Sequence, residues 1–97
     1  MARKLILFTG DNCVPCRRLK QVLLPVISSC SDLEYVEIDR DKRPDEVKKY
    51  NIQSIPTLLI FDDDKLVTRK DGYSPQPTWL ANLCDIVKGE KYEFNAE

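Results

Sequence analysis

Two cysteines separated by two residues, Cys13 and Cys16, stand where an apolar run meets a long helical pattern. The apolar run ends at Phe8 and a turn-forming cluster follows it, so the sequence predicts a helix that begins at Cys13. Unpaired backbone N–H groups and the positive end of the helix dipole converge there, and both stabilise a thiolate. Cys16 lies three residues further on the same helical face, so the two sulfur atoms can meet. The spacing therefore predicts a dithiol that cycles to a disulfide.

The chain contains no histidine, so a thiolate at Cys13 has to be stabilised without an imidazole. Lowering the pKa of a thiol from about 8.5 to about 7 needs about 2 kcal/mol of stabilisation of the anion. A partly buried helix end supplies up to about 2 kcal/mol. Arg17, four residues after Cys13, is expected to add positive charge nearby. The helix end is therefore enough to activate the thiol.

Hydrophobic periodicity divides the rest of the chain into short strands and helices. Strand, helix and strand in succession favour a right-handed βαβ unit, and an acidic turn at residues 62–64 predicts a hairpin. Asn51 is predicted to end the second helix in the left-handed conformation. The predicted α/β elements are strands over 4–8, 34–39, 57–61 and 65–70, and helices from residue 13, over 44–50 and over 74–89.

The other two cysteines, Cys30 and Cys84, allow a second interpretation of the Cys-x-x-Cys pair. Four cysteines satisfy a structural zinc site by count alone. Yet Cys30 and Cys84 lie in the apolar stripes of the first and last helices, without the spacing of metal ligands. We therefore expect both to be small core residues and predict no metal site. The stripe of the first helix comprises Leu19, Val22, Leu23, Val26, Ile27 and Cys30.

The 97 residues suffice for one domain, predicted over residues 1–89 and followed by a tail over 90–97. A net charge of −1 does not indicate binding to nucleic acid or to an anionic membrane. The apolar run from Leu5 to Phe8 is too short for a signal-peptide core or a membrane span. The predicted location is a reducing cytoplasm, where a Cys-x-x-Cys pair is catalytic or metal-binding rather than a structural disulfide.

Three motifs resemble those of the thioredoxin family in order and spacing, within residues 3–88. The stretch Asp11-Asn12-Cys13-Val14-Pro15-Cys16 resembles the family's redox motif, including the proline before the second cysteine. The stretch Ile55-Pro56-Thr57 resembles the loop whose proline is cis in the family, and Gly72 matches the glycine that lets a substrate backbone approach. The resemblance implies a thioredoxin fold, with a four-stranded mixed sheet flanked by three helices in the order βαβαββα.

The resemblance also implies the roles of individual residues. Cys13 is similar to the attacking thiolate and Cys16 to the resolving cysteine, with no cofactor beyond the redox-active disulfide Cys13–Cys16. Pro56 resembles the cis-proline beside the dithiol, and the backbone of Ile55 is expected to pair with the substrate strand. The substrate-binding residues implied in this way are Asn12, Val14, Pro15, Ile55, Pro56 and Gly72.

The chain departs from the family pattern at several points. Asn12 stands where the family usually has a tryptophan, and Leu7 stands where typical thioredoxins have a buried aspartate. The sequence starts directly at the strand before the redox motif, without the extra N-terminal strand and helix of full-length thioredoxins, and in this it resembles glutaredoxins, as does Phe8-Thr9. The glutathione-binding Gly-Gly-x-Asp of glutaredoxins is replaced by the stretch at residues 71–74. A compact thioredoxin is therefore favoured.

Three functions follow as hypotheses. The first is a protein-disulfide reductase, and the resemblance implies disulfide-containing substrate proteins such as a ribonucleotide reductase, with a thioredoxin reductase or glutathione as electron donor. The second is a glutaredoxin-type reductant that glutathione alone recycles. The third is a non-catalytic binding subunit on the same fold. The replacement of the tryptophan by Asn12 and the presence of Leu7 favour this hypothesis. The presence of both cysteines favours the protein-disulfide reductase. We expect this enzyme to act as a monomer.

Overall fold

The computed structural model describes residues 3–30 and 33–73. The described part contains strands β1 (Arg3–Thr9), β2 (Leu33–Asp39), β3 (Thr57–Asp62) and β4 (Lys65–Asp71), and helices α1 (Val14–Ser29) and α2 (Pro44–Lys49). The helix predicted over 74–89, the tail over 90–97 and Cys84 lie outside the described residues.

The four strands form one mixed sheet in the order β2-β1-β3-β4. Strand β1 runs parallel to β2 and antiparallel to β3, and β4 runs antiparallel to β3. The parallel pair is joined through α1, as the βαβ prediction required. The hairpin between β3 and β4 turns at Asp63, which has a positive φ of 57°. The predicted thioredoxin fold is thereby confirmed in its sheet and in the two helices that are described.

The two central strands are buried on both faces because each alternates its side chains between two hydrophobic clusters. The α1-face cluster consists of Leu5, Leu7, Leu19, Leu23, Leu58 and Ile60. The α2-face cluster consists of Ile6, Phe8, Ile38, Ile52, Leu59 and Phe61. This double burial explains why β1 and β3 appear in the sequence as continuous apolar runs.

Helix α1 begins one residue later than predicted, at Val14, and continues through Pro25 to Ser29. Leu19 and Leu23 are buried as expected. The prediction that Val22 belongs to the core is wrong, since 41% of its surface is exposed. Val22 lies on the flank of a stripe that is centred on Leu19 and Leu23. None of the helices within residues 3–30 and 33–73 is long and apolar enough to cross a membrane.

The prediction that Cys30 is a small core residue is also wrong. Cys30 is half-buried at the C-cap of α1, with an extended backbone (φ −90°, ψ 123°), and it is disulfide-bonded. The helical stripe ends before this residue, so its side chain does not continue into the core. The second helix ends as predicted, because Asn51 adopts the left-handed conformation with φ 53°.

Candidate active site

The loop from β1 to α1 presents the first cysteine at the start of the helix. Asn12 adopts a left-handed conformation with φ 58°, and Cys13 follows as the extended N-cap residue of α1. The Sγ atom of Cys13 accepts a hydrogen bond from the backbone N–H of Cys16, at 3.2 Å. A sulfur therefore takes the place that a serine or aspartate oxygen has in an ordinary N-cap. This is the location predicted for a stabilised thiolate.

Cys13 and Cys16 are joined by a disulfide bond, with their Cα atoms 5.2 Å apart. The prediction that the two sulfurs meet is thereby confirmed. The two residues differ in access, since Cys13 is 9% exposed and Cys16 is completely buried. Cys13 is therefore the more accessible of the two residues, although both are largely buried.

The loop before β3 meets the cysteine loop at the same end of the sheet. The peptide bond between Ile55 and Pro56 is cis, which confirms the prediction from the Ile-Pro-Thr motif. Thr57, the next residue, pairs with Phe8 at the end of β1. A Cβ atom added to Gly10 would lie 2.9 Å from the Cδ1 atom of Ile55, so the two loops are in direct contact. The register of β1 and β3 thus brings the proline loop to the disulfide.

Gly72 joins the same cluster of loops from the end of β4. Its backbone N–H donates to the carbonyl of Pro56 at 2.7 Å, which fixes it beside the cis-proline. Its φ of 81° lies in the region that favours glycine. No atom of the described residues lies within 4 Å of a Cβ atom added at this position, so within that part of the chain the backbone faces open space.

The remaining predicted site residues surround Cys13 at the surface. Asn12, Val14 and Pro15 are all exposed, and Val14 is 45% exposed despite its apolar side chain. Val14 therefore presents an apolar surface directly beside Cys13. Ile55, by contrast, is half-buried and packs partly on the α2-face cluster.

Sequence reasoning missed two residues that shape this end of the sheet. Gly10 allows the contact with Ile55, and the Cγ and Nε atoms of Arg40 lie 3.8 and 3.9 Å from the position of its added Cβ. The backbone N–H of Arg40 donates to the carbonyl of Thr9 at 2.9 Å. The predicted parallel pairing of β1 with β2 could have identified both residues. Parallel strands end at the same edge of a sheet, so Gly10 after β1 and Arg40 after β2 are expected to lie close together.

The polar groups on the α1 side of the sheet form a separate small network. The hydroxyl of Tyr35 donates to Glu37 at 2.8 Å, and the Nζ atom of Lys20 donates to the same carboxylate at 3.3 Å. Burial raises the pKa of Tyr35 above its ordinary value, and the hydrogen bond and charge of Glu37 add to the effect. Leu7, where typical thioredoxins have an aspartate, is fully buried in the α1-face cluster. Within the described residues, no three histidine, cysteine or acidic side chains are grouped to hold a metal ion.

Comparison with known proteins agrees with this geometry. The family model described as Thioredoxin matches residues 2–85. Thioredoxin 1 of Synechococcus elongatus is 37% identical over 82 residues, which cover 84% of this chain and 76% of that protein. A thioredoxin of Mycobacterium bovis is 31% identical over 84 residues, covering 86% of this chain and 72% of that protein. The crystal structure of mitochondrial thioredoxin 3 from Saccharomyces cerevisiae, in its oxidized form, matches with a TM-score of 0.74 at 24% identity, over 91% of this chain and 78% of that chain.

The matches and the site geometry lead to the same assignment. The family model spans nearly the whole chain, and the disulfide has the Cys-x-x-Cys spacing of a redox pair at a helix N-terminus. A dithiol in this position carries out exchange with the disulfides of other proteins. The chain belongs to the thioredoxin family and is a thiol–disulfide oxidoreductase that acts as a protein-disulfide reductase.

Proposed function

We propose that Cys13 is the attacking thiolate and Cys16 the resolving cysteine of this reductase. The observation that carries the proposal is the difference in access, since Cys13 is 9% exposed and Cys16 is completely buried. A substrate disulfide approaches the more accessible of the two residues, which is Cys13. The backbone N–H of Cys16, which donates to Cys13 in the oxidised form, is also placed to stabilise the Cys13 thiolate.

The reaction then proceeds in two exchange steps. The Cys13 thiolate attacks one sulfur of the substrate disulfide and forms a mixed disulfide, while the other substrate sulfur leaves as a thiolate. The Cys16 thiolate next attacks the Cys13 sulfur, and the second substrate sulfur leaves. The substrate has gained two electrons and takes two protons from solution. The chain is left with the Cys13–Cys16 disulfide.

The three loops around Cys13 form the substrate site in this proposal. The backbone groups of Ile55 form no hydrogen bond with another backbone group among the described residues, so they are available to an extended substrate segment. Gly72 offers backbone without a side chain on the same side, and Pro56 lacks an N–H group that would compete for the sulfur. Asn12, Val14 and Pro15 form the exposed rim on the other side of Cys13.

The electron donor and the setting complete the proposal. A thioredoxin reductase is the donor that the relatives named thioredoxin favour. We place the protein in the cytoplasm, as a monomer that takes part in electron transport and cell redox homeostasis. Disulfide-containing proteins are its substrates, and a ribonucleotide reductase is one candidate.

Reduction of insulin disulfides in the presence of dithiothreitol tests the cysteine roles. We expect turnover to disappear in Cys13→Ser, because that variant has no attacking sulfur. Cys16→Ser retains the first step only, and without dithiothreitol it accumulates a mixed disulfide, which mass spectrometry detects. Ser28→Ala is the control, because it changes an exposed side chain at the far end of α1 from the site and leaves every cysteine in place. Turnover that survives Cys13→Ser would contradict the proposal.

A second assay identifies the donor. The oxidised protein is supplied either with NADPH and a thioredoxin reductase, or with glutathione, NADPH and glutathione reductase. We expect rapid reduction in the first mixture. Reduction by glutathione alone, at a rate that supports insulin turnover, would assign the chain to the glutaredoxin type instead.

A further inference from the structure

A buried hydroxyl group without a partner lies at the end of β1, close to the start of the active-site helix. Thr9 is only 8% exposed, and its Oγ1 atom has no hydrogen-bond partner among residues 3–30 and 33–73. Burying a hydroxyl without a partner is unfavourable, so each such group in a native protein calls for an explanation. Thr9 is the last residue of β1, four positions before Cys13.

The alternation of side chains along β1 places this hydroxyl on the face of the sheet that α1 covers. Leu5 and Leu7 belong to the α1-face cluster, and Thr9 is the next residue with the same orientation. The buried stripe of α1 consists of Cys16, Leu19 and Leu23. Leu19 and Leu23 of this stripe pack in the same cluster as Leu5 and Leu7. Since α1 follows β1 directly in the chain, we infer that its first buried residue, Cys16, lies towards the end of β1 that Thr9 occupies.

Two polar residues on the neighbouring strands have partners of their own. Asp39 is paired with Thr9 in the register of β1 and β2, and its Oδ1 atom accepts from the backbone N–H of Asp41 at 2.8 Å. Thr57, on β3, lies on the opposite face of the sheet and donates its hydroxyl to the carbonyl of Ser54 at 2.8 Å. Leu7 supplies no polar group. On the α1 face, the sulfur of Cys16 is the polar atom whose strength as an acceptor changes with the redox state of the disulfide.

We propose that the hydroxyl of Thr9 donates a hydrogen bond to the sulfur of Cys16 when the disulfide is open, and so stabilises the buried resolving thiolate. In the oxidised form the Cys16 sulfur is bonded to Cys13 and is a weak acceptor, which leaves the hydroxyl unsatisfied as observed. Reduction adds two electrons and breaks the S–S bond, and the Cys16 sulfur becomes a strong acceptor once its thiol has released its proton to solution.

The proposal has a definite consequence for the redox equilibrium. The hydrogen bond exists only in the reduced form, so it favours that form over the disulfide. Removing the hydroxyl while keeping the shape of the side chain, as in Thr9→Val, removes this advantage and relieves the oxidised form of an unsatisfied group. Both effects shift the equilibrium towards the disulfide. We expect a shift of about tenfold against glutathione, which corresponds to a reduction potential lower by about 30 mV.

The experiment compares Thr9→Val with Thr57→Val, a second buried threonine of the described residues, which lies on the α2 side of the sheet. The potential of each variant is measured in glutathione redox buffers, and the unfolding of its oxidised and reduced forms is measured in urea. We expect Thr9→Val to lower the potential and to destabilise the reduced form only. Thr57→Val loses a hydrogen bond that both forms contain, so it destabilises both forms equally and leaves the potential unchanged. Thr9→Ser, which keeps the hydroxyl, restores the potential.

Equal destabilisation of the two forms by Thr9→Val, with an unchanged potential, would overturn the proposal and leave Thr9 with a structural role. The proposal rests on the assignment of Cys16 as the resolving cysteine, and the two can fail separately. Potential and stability report on the Cys13–Cys16 disulfide whichever sulfur attacks the substrate. Insulin turnover in the cysteine variants reports on the order of attack and does not depend on Thr9.

Discussion

Single residues at this active site are held in place by backbone conformation more than by side-chain contacts. Asn12 and Gly72 both have positive φ angles, and Pro56 follows a cis peptide bond. These residues belong to the loops at the end of the sheet that carries Cys13, and the backbone N–H of Gly72 donates to the carbonyl of Pro56. Substitutions here are therefore expected to change how a protein substrate binds more than how the core packs.

Gly72→Ala separates these two effects. Alanine at φ 81° is strained, and we expect a loss of about 1 kcal/mol in the free energy of unfolding. The added Cβ atom meets no atom in the described part of the chain and extends into the space that the proposed substrate occupies. The KM for insulin should therefore rise several-fold, while reduction of the chain by dithiothreitol stays unchanged.

Asn51→Ala is the matched control for this prediction. Asn51 also has a positive φ, of 53°, but it lies after α2 and outside the three loops of the site. The free energy of unfolding of Asn51→Ala should fall, and its KM for insulin should stay unchanged. A similar rise in KM for both variants would contradict the assignment of Gly72 to the substrate site.

At the scale of elements, hydrophobic periodicity predicted the features that depend on one helix or strand alone. The double-sided burial of β1 and β3 was predictable from their continuous apolar runs, and the end of α2 from Asn51. The errors at Val22 and Cys30 arose because periodicity gives the direction of a stripe but neither its width nor its end. Gly10, Arg40 and Thr9 were missed because their importance comes from neighbouring segments that only the register of the sheet brings together.

Helix α2 gives a prediction for pH dependence, because a helix of six residues depends on its terminal charges. The guanidinium of Arg43 lies 3.3 Å from the carboxylate of Asp45 and 3.1 Å from that of Glu46. The hydrogen bond from Arg43 is the main reason why the pKa of Asp45 lies below its ordinary value. The stabilisation is therefore present above the pKa that Asp45 has in the unfolded chain, and it is lost as the pH falls through the lower, folded value.

Carboxyl titration by NMR checks this prediction. In Arg43→Gln the pKa of Asp45 should rise towards that of a free aspartate, and the loss of α2 signals on acidification should begin at a higher pH. Lys42→Gln removes the same charge one residue earlier and outside this contact, and should leave Asp45 unchanged. Equal shifts in both variants would mean that general charge, and not the Arg43 contact, lowers the pKa.

For the molecule as a whole, the sheet separates two hydrophobic clusters, and only one of them supports the active-site helix. The α1-face cluster contains Leu23 of α1 and Ile60 of β3, whereas Ile6 of β1 belongs to the α2-face cluster. All three residues are buried, and Ile6 and Ile60 lie on the two central strands. Neighbours within one cluster share the space that a truncation opens, whereas residues on opposite faces are separated by the thickness of the sheet.

Double-mutant cycles measured by urea unfolding test this division. Leu23→Ala should cost about 2–5 kcal/mol, and Ile60→Val or Ile6→Val about 0.5–1.5 kcal/mol each. The effects of Leu23→Ala and Ile6→Val should add to within about 0.5 kcal/mol, and those of Leu23→Ala and Ile60→Val should depart from additivity by more than this. Non-additivity of Leu23→Ala with Ile6→Val, across the sheet, would mean that the two faces behave as one core.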